Sequence, residues 1–323
     1  MRLHQLGASA FFAVAATLTT VCSAAGFPDK PVTMVVPYPP GGATDVIARM
    51  VSDKLSAKWD QTVIVTNRPG AGTVIAAESV ARSAGDGYTL YMTTAAHTIS
   101  KSLYKKLSYD PVKDFAPIDL VSTIPLVLVA TQALPVKTLD ELIKYGKAAK
   151  DGLTLASTGN GTPQHLTGEL FKAKTHLDLI HVPYKGDAPM LTDLLGGQVQ
   201  IAFVTLSAAL PHITAGKLKA IALAHPNRVK AIENVPTFSE SGMPGFNAAT
   251  WFGIFAPASI PKDVQQKIYQ DIHDVVAEPE MTRKLVEMGG EVNNSSPAEF
   301  QSFIDEEAAK WAEAVSLSGA QVN

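Results

Sequence analysis

Two glycine-bearing turns are the places where residue type and spacing in this sequence favour binding chemistry. In the first, VPYPPGGATD, Gly41 and Gly42 follow an apolar run and precede a helical pattern. In the second, STGNGTPQH, Gly159 and Gly161 take the same place, and Thr162 before a proline is a helix-start signal. The first amides of a helix lack helical acceptors and lie at the positive end of its dipole, so such turns suit a carboxylate. If the two turns belong to opposite lobes, the sequence predicts that they bind an anionic group from both sides of a cleft.

Motifs of the common catalytic and nucleotide-binding classes do not occur in the sequence. It contains no GxSxG, HExxH or GxxxxGK[ST] segment. RPGAGTVIA resembles a dinucleotide turn, but Ile75 stands where the third glycine belongs. The histidines are not paired at a metal-ligand spacing, so the sequence predicts no catalytic residue, no metal site and no cofactor.

The first 25 residues predict an export signal. MRLHQLGASAFFAVAATLTTVCSAA has Arg2 near its start, an apolar run, and small residues before the predicted cleavage point. The only cysteine, Cys22, lies in this leader, so the mature chain is predicted to have no disulfide and no thiol nucleophile. Removal of the leader with Arg2 reduces the 27 Lys and Arg to 26, against 30 Asp and Glu. This slightly negative balance provides no positive electrostatic field that would hold nucleic acid or anionic lipid. We expect a soluble periplasmic protein, with an uncleaved membrane anchor as the less favoured alternative.

Short Val- and Ile-rich runs alternate with stretches of helical period, which predicts an α/β fold. Strands are predicted at 32–36, 62–66, 89–93, 153–157, 179–182, 200–204 and 218–223, and helices at 45–58, 74–84, 99–107, 139–150, from 163, from 188, and at 208–215, 262–277, 280–288 and 297–317. Thr138 with Glu141 and Ser296 with Glu299 form predicted capping boxes.

Two longer apolar stretches, 118–130 and 250–255, are predicted to pass between two lobes. The first lobe is then discontinuous in sequence. The predicted organisation is a leader at 1–25, lobe 1 at 26–124 and 250–323, and lobe 2 at 125–249.

A family resemblance extends over essentially the whole mature chain. It rests on several segments in order: VPYPPGGATDVIAR, NRPGAGTVIAAESVARSAGDGYTL, YDPVKDFAPI, STGNGTPQHLTGELF, HVPYKGDAPMLTDLLGGQVQ and WFGIFAPASIP. The chain resembles the Bug family, the extracytoplasmic solute receptors of the tripartite tricarboxylate transporter type. The resemblance implies a type II periplasmic-binding-protein fold, with two α/β lobes joined by two hinge crossings. It also implies a carboxylate ligand held largely by backbone amides of the two turns, in a pocket without a neutralising arginine.

The resemblance also implies a set of ligand-binding residues, distributed over four loops. The first turn supplies Tyr38, Gly42, Ala43, Thr44 and Asp45, and the loop after the third strand supplies Thr94, Ala96 and His97 as one wall. The second turn supplies Thr158, Asn160, Gly161, Thr162 and His165, and the loop after residue 182 supplies Tyr184 and Asp187. Tyr38 replaces the Phe of many relatives, so its phenol could add a hydrogen bond. Pro40 replaces a common Ala and should stiffen the turn.

Several of these side chains have two interpretations. Asp187 stands where relatives have a small residue; it is either a helix N-cap or a carboxylate that accepts from an N–H or hydroxyl of the ligand. Asp45 either stabilises its own helix or turns into the cleft, where it would oppose an anion. His165 is either a ligand donor or a capping histidine. Trp251 and Phe252 are predicted to pack at the hinge, with a role as cleft aromatics as the alternative.

The function predicted from these features is a solute-binding receptor, not an enzyme. It captures a small organic carboxylate, whether a dicarboxylate, an amino acid or an aromatic acid, by cleft closure, and presents it to a membrane transporter or sensor. A monomer that neither inserts into the membrane nor binds nucleic acid is expected. The alternative is a periplasmic hydrolase or isomerase acting on a carboxylate in the same cleft. The ligand's identity and the choice between transporter and sensor stay open.

Overall fold

The computed structural model describes residues 26–293 and 295–318. The predicted leader lies outside these residues. The strands are β1 Val32–Val36, β2 Val63–Asn67, β3 Thr89–Thr93, β4 Phe115–Thr131, β5 Leu153–Ser157, β6 Leu179–Pro183, β7 Ile201–Thr205, β8 Leu218–Leu223, β9 Ala249–Pro257 and β10 Glu291–Val292. The helices are α1 Ala43–Trp59, α2 Val74–Ala81, α3 Ala96–Leu103, α4 Leu139–Ala148, α5 Pro163–Thr175, α6 Asp187–Leu195, α7 Leu206–Thr214, α8 Lys262–Ala277, α9 Pro279–Glu287 and α10 Pro297–Ser318.

The described strands form one curled sheet with two parallel halves. Its order is β2-β1-β3-β9-β4-β7-β5-β6, with β8 and β10 also paired to β4. β1, β2 and β3 are parallel to one another, as are β5, β6 and β7. Helices follow these strands along the chain, so the molecule is a mixed α/β protein of two lobes.

Two long strands connect the lobes. β4 pairs antiparallel with β9 from Phe115 to Pro125, and then with β7 from Leu126 onward. β9 runs back beside β4 and pairs with β3 on its other edge. The carboxyl ends of the parallel strands are followed by the turns that the sequence singles out, which is where open α/β sheets bind ligands.

Both lobes are closed by large apolar clusters. In lobe 1, Tyr91 and Phe255 pack with Phe300 and Trp311, which come from the last helix, α10. In lobe 2, Phe171 packs among three further phenylalanines. Burial of this apolar area is the main favourable term of folding. The C-terminal helix is therefore an integral part of the first lobe.

The helix predictions were correct in position but not in every boundary. α3 begins at Ala96, three residues before the predicted start, and ends at Leu103 instead of Leu107. Its early residues are polar yet buried, because Thr98 and Ser100 donate their hydroxyls to carbonyls three residues back. A pattern search that looks for apolar residues misses such a turn. α2 likewise ends at Ala81, three residues before its predicted end.

The predicted capping box at Ser296 is confirmed, whereas the one at Thr138 is confirmed only in its first half, because Glu141 accepts from the amide of the residue before the N-cap. The Thr138 hydroxyl accepts from the Glu141 amide at 3.2 Å, and the Glu141 carboxylate accepts from the Lys137 amide at 2.7 Å. At α10, the Ser296 hydroxyl accepts from the Glu299 amide and its own amide donates to Glu299. Among the residues that the structure describes, no helix has both the length and the apolar character to cross a membrane.

Candidate functional site

Two adjoining cavities lie between the lobes. The inner cavity has about 20 Å³ available, room for about one water molecule. It is lined by Tyr38, Pro39, Gly42, Ala43, Thr44, Thr94, Thr158, Gln164, Asp187, Ala188, Thr205, Thr250 and Phe252. The outer cavity, of about 380 Å³, shares Tyr38 and Thr158 with it and includes Asn160, Thr162 and Tyr184. Most of the predicted ligand residues therefore lie around one connected gap.

The β1–α1 turn directs the start of α1 at the inner cavity. Gly42 is the N-cap, with an extended backbone and no side chain to satisfy the first amides of the helix. Gly41 has φ +89°, a left-handed conformation that favours glycine. Ala43 and Thr44 follow as the first helical residues and line the cavity. The turn thus has the geometry of an anion-binding helix N-terminus.

Asp45 is held away from the cavity by its own helix and by β2. Its carboxylate accepts from the Gly41 amide at 3.0 Å, from both Nε and Nη2 of Arg49 at 3.0 Å, and from Asn67 at 2.9 Å. Burial would raise the pKa of this carboxyl, but these donors outweigh burial and hold the pKa below its usual value. The structure therefore supports the interpretation that Asp45 stabilises its own helix. Its carboxylate accepts hydrogen bonds from groups that fix the shape of the turn.

Tyr38 and Thr94 form one wall of the gap. Their hydroxyl oxygens are 2.9 Å apart in a hydrogen bond. Burial raises the pKa of Tyr38, the Thr94 contact lowers it less, and the Asp187 carboxylate raises it further. The phenol therefore stays protonated and is a neutral hydrogen-bonding group in the cleft.

The β5–α5 turn contributes Thr158 to the inner cavity, but the amide of Gly161 is used internally. This amide donates to Nδ1 of His165 at 3.1 Å, and Thr162 caps α5 by accepting from the His165 amide at 3.3 Å. Gly161 and His165 are predicted to face the ligand, but in the structure neither residue lines the inner or the outer cavity. They fix the shape of the turn that presents Thr158.

His165 is stacked on a second histidine. Its ring lies 4.1 Å from that of His181, whose Nε2 is 2.7 Å from the Ser157 hydroxyl. Burial lowers the pKa of each ring to about 4, with the neighbouring His181 adding to the effect on His165 and Lys172 to that on His181. Both rings are thus neutral near pH 7, so His165 carries no charge that could hold an anion.

Gly161 instead forms a close contact between the lobes. A Cβ at this position would lie 2.2 Å from Cδ2 of Leu103 in α3, and φ is +75°. A second contact joins Gly72, where a Cβ would lie 2.8 Å from the carbonyl oxygen of Asn160. The lobes therefore meet closely along the β5–α5 turn.

The structure places Ala96 and His97 in the core and not in the cleft wall. Both are buried, and neither lines either cavity. The His97 Nε2–H donates to the Pro111 carbonyl at 2.7 Å, and its ring packs against Phe115 and Phe255. Burial lowers its pKa to about 4. Of the three residues predicted on this loop, only Thr94 lines the gap. Helix α3 begins two residues later, at Ala96, and directs the side chains of Ala96 and His97 into the core.

Asp187 is the first residue of α6, whose N-cap is Gly186. The interpretation of Asp187 as the N-cap of this helix is therefore wrong, because the N-cap is the residue before it. Instead Oδ2 accepts from the Ala43 amide of the opposite lobe at 3.4 Å, and Oδ1 is inaccessible to water with no hydrogen-bond partner. Tyr184 lies nearer the outside, where its hydroxyl donates to Asp193 at 2.7 Å and its side chain lines the outer cavity.

Six residues that line the inner cavity were not among the predicted ligand-binding set: Pro39, Gln164, Ala188, Thr205, Thr250 and Phe252. Gln164 and Thr205 are joined by a 3.0 Å hydrogen bond at the cavity floor, and Thr250 and Phe252 come from β9. Trp251 points the other way and donates to Glu307 at 3.0 Å, as expected for hinge packing. A signal existed for Thr205, which ends a parallel strand as the predicted turns do. None existed for Thr250, which is brought in by the crossing strand.

The described residues contain no cluster of three or more histidine, cysteine or acidic side chains arranged to hold a metal ion. The inner cavity has Asp187 as its only formally charged lining residue. Its other polar groups are hydroxyls, an amide side chain and helix amides. Such a set binds and orients a small polar molecule by hydrogen bonds.

Comparison with known proteins gives consistent matches over most of the chain. Residues 47–319 match the family model described as "Tripartite tricarboxylate transporter family receptor". Protein BugT of Bordetella pertussis (strain Tohama I) is 34% identical over 313 residues, which is 96% of each chain.

Solved structures agree with this similarity. The periplasmic binding protein BugD superposes with a TM-score of 0.88 at 34% identity, covering 91% of this chain and 99% of that chain. R. palustris Rpa4515 with adipate superposes with a TM-score of 0.89 at 34% identity, covering 92% of this chain and all of the other. Both matches include the two lobes and the sheet that connects them.

Proposed function

The chain belongs to the family of tripartite tricarboxylate transporter receptors, and on that premise we propose that it is an extracytoplasmic receptor for a small organic carboxylate. The ligand is a dicarboxylate, an amino acid or an aromatic acid, captured by closure of the two lobes. The receptor then presents it to a membrane transporter of this type or to a sensor. We place the protein in the periplasm as a monomer, after removal of residues 1–25.

One observation carries this proposal: a single gap is lined by the start of α1 on one side and by Thr158 and Gln164 on the other. The inner cavity has room for about one water molecule, so a ligand enters only when the lobes part. Binding energy then comes from hydrogen bonds made when the lobes close and exclude water. A ligand that bridges both lobes favours the closed form by its differential affinity for it.

The same gap is poorly suited to acid or base catalysis. Asp45 is neutralised by Arg49, His97 is buried in the core, and His165 accepts from Gly161. These are three of the four groups that a hydrolase or isomerase would have needed near the turns. The fourth, Asp187, lines the inner cavity with no second carboxyl or imidazole group beside it among the described residues there. Rpa4515 is named with adipate, a plain dicarboxylate, which supports a carboxylate as the class of ligand here.

The test is thermal unfolding of protein purified without refolding, in the presence of dicarboxylates, amino acids and aromatic acids. A ligand at 100 times its Kd should add about 2.7 kcal/mol to the free energy of unfolding. Mass spectrometry of the recovered ligand should show it unchanged. Absence of any stabilising compound would contradict the receptor function, and conversion of the compound would favour the enzyme.

Two threonine variants locate the binding site. Thr158→Val removes a hydroxyl from the gap and should weaken binding about tenfold, because a buried hydrogen bond is worth about 1 kcal/mol or more. Thr192→Val on the exposed side of α6 is the matched control and should leave the Kd unchanged. Equal affinities of the two variants would place the ligand elsewhere.

A further inference from the structure

Asp187 brings a carboxylate of lobe 2 up to the start of α1 in lobe 1. A Cβ on Gly42 would lie only 3.2 Å from Asp187 Oδ2. The same oxygen accepts from the Ala43 amide at 3.4 Å, a long hydrogen bond. The position that an anionic ligand group would take at this helix therefore already has a carboxylate beside it.

The second oxygen of this carboxylate has no partner. Oδ1 is inaccessible to water and makes no hydrogen bond, while Asp187 lines the inner cavity. A buried, unpaired carboxylate oxygen is costly, and native proteins rarely keep one without a reason. The simplest reason is a donor that arrives from outside the chain.

Among the residues that the structure describes, none with a positive charge lines the inner cavity. Apart from Asp187, the residues that line the inner cavity are neutral, with Tyr38 the one other titratable side chain. Lys185 is exposed and lines the outer cavity but not the inner one. Burial raises the pKa of the Asp187 carboxyl from 3.8 to about 6, and the Ala43 amide opposes this only in part. Above pH 7 the carboxylate is ionised, and the site holds one uncompensated negative charge.

We propose that Asp187 is the counter-ion of a positively charged nitrogen on the ligand, so that the site takes a zwitterionic amino acid in preference to the dicarboxylate of the same skeleton. The inference rests on the proposed function and narrows its ligand class. The ligand's carboxylate is held by neutral donors of the two lobes, and its ammonium group donates to Oδ1. A plain dicarboxylate brings a second negative charge next to Asp187 and gives Oδ1 no donor.

The experiment is isothermal titration calorimetry at pH 8 with matched ligands. Aspartate is compared with succinate, and glutamate with glutarate, because each pair differs by one amino group. We expect wild-type protein to prefer the amino acid at least tenfold. Malate carries a hydroxyl in place of the ammonium group and should bind more weakly than aspartate. Equal binding of malate and aspartate would overturn the role of the positive charge.

Asp187→Asn tests the residue itself. The amide keeps the shape but not the charge, so the preference should fall at least tenfold, with dicarboxylates binding better than to wild type. Asp140→Asn removes an exposed carboxylate on α4 and should keep the wild-type preference. Circular dichroism of both variants confirms folding, and Asp187→Ala serves as a second variant. An unchanged preference in both Asp187 variants would overturn the proposal.

The two levels of failure are distinct. If dicarboxylates or aromatic acids bind wild-type protein and amino acids do not, the receptor function stands and the role of Asp187 falls. If no compound of any class binds, the receptor function itself falls, and the inference with it.

Discussion

Asp119 is a second buried carboxyl group, but it lies in the core of lobe 1 and not in the cleft. It is on β4 and fully buried, and His273 Nδ1 of α8 lies 4.0 Å from its Oδ2. Tyr269 of the same helix also faces it. Burial raises the pKa of Asp119 to about 7, and the polar backbone amide of Ser295 nearby offsets only part of this. At neutral pH this group is on the edge of ionisation.

Replacing Asp119 should make stability less dependent on pH. The folded pKa is above the unfolded value of 3.8, so the native state holds the extra proton and stability falls as pH rises from about 4 to 7. Asp119→Asn removes this loss and should raise the free energy of unfolding by about 1 to 3 kcal/mol at pH 8. Urea unfolding at pH 4.5 and pH 8 measures it. A variant that tracks wild type at both pH values would contradict the assignment.

At single residues, the sequence located turns better than it located side-chain directions. The family resemblance implies His165 as a ligand residue, yet its neighbour Gln164 lines the cavity and His165 accepts from the turn. One residue along a helix changes direction by about 100°. A prediction with an uncertainty of one position therefore cannot choose between them. Asp187 was identified as unusual, but its contact with Ala43 depends on how the lobes meet.

At the level of elements, the β5–α5 turn and α3 form a close contact on which the proposed closure depends. Gly161 approaches Leu103 so closely that no side chain fits without movement. Leu103 is itself buried, at 1% exposure, so its side chain has little space to move into. The glycine is thus required by the approach of the lobes as well as by its backbone conformation.

Gly161→Ala should weaken ligand binding by about tenfold and destabilise the protein by about 1 to 2 kcal/mol, because φ is +75° and the added methyl meets Leu103. Gly216→Ala is the control: φ is +65° there, but nothing lies within 4 Å of the added Cβ. The control should lose stability and keep its Kd, measured by calorimetry. Restoration of binding by Leu103→Ala in the Gly161→Ala background would identify the contact. An unchanged Kd in Gly161→Ala would show that closure tolerates the methyl group.

The strands of the parallel halves were predictable because each is a short apolar run between turn residues. The start of α3 was not, because its first turn is polar and its burial comes from packing against β4 and α10. The same limit applies to Thr250. Its place in the cavity follows from the register of β9 against β4, which pairs it with Ile124. Long-range register has no local signature in one sequence.

The whole molecule is a closed two-lobed form in which the connections are strands. The change of partner along β4 at Leu126 and the start of β9 at Ala249 support the proposed lobe boundaries of 26–124 with 250–323 and 125–249. Strands that are hydrogen-bonded along their length bend less freely than loops. Opening should therefore be a hinge rotation around β4 and β9, with each lobe moving as a unit.

A disulfide across the gap should lock this closed form. A Cβ on Gly42 would lie 3.7 Å from Asp187 Cβ, which is within the range for a disulfide. In a Cys22→Ser background, oxidised Gly42→Cys/Asp187→Cys protein should have a smaller radius of gyration in solution scattering than the reduced form. Reduction should reverse the difference. Failure of the pair to oxidise, with both thiols intact, would mean that the unliganded lobes rarely meet.

The aromatic cluster of lobe 1 joins residues from opposite ends of the chain. Tyr91 packs with Phe255, and Phe300 and Trp311 of α10 complete the cluster. A ribosome synthesises Phe300 and Trp311 more than 200 residues after Tyr91. Until then the N-terminal strands lack their partner β9, and such distant pairings form slowly. Lobe 1 is therefore expected to complete its core only after residues 249–315 have been synthesised, whereas the apolar cluster of lobe 2 lies wholly within residues 126–248 and does not have to wait for them.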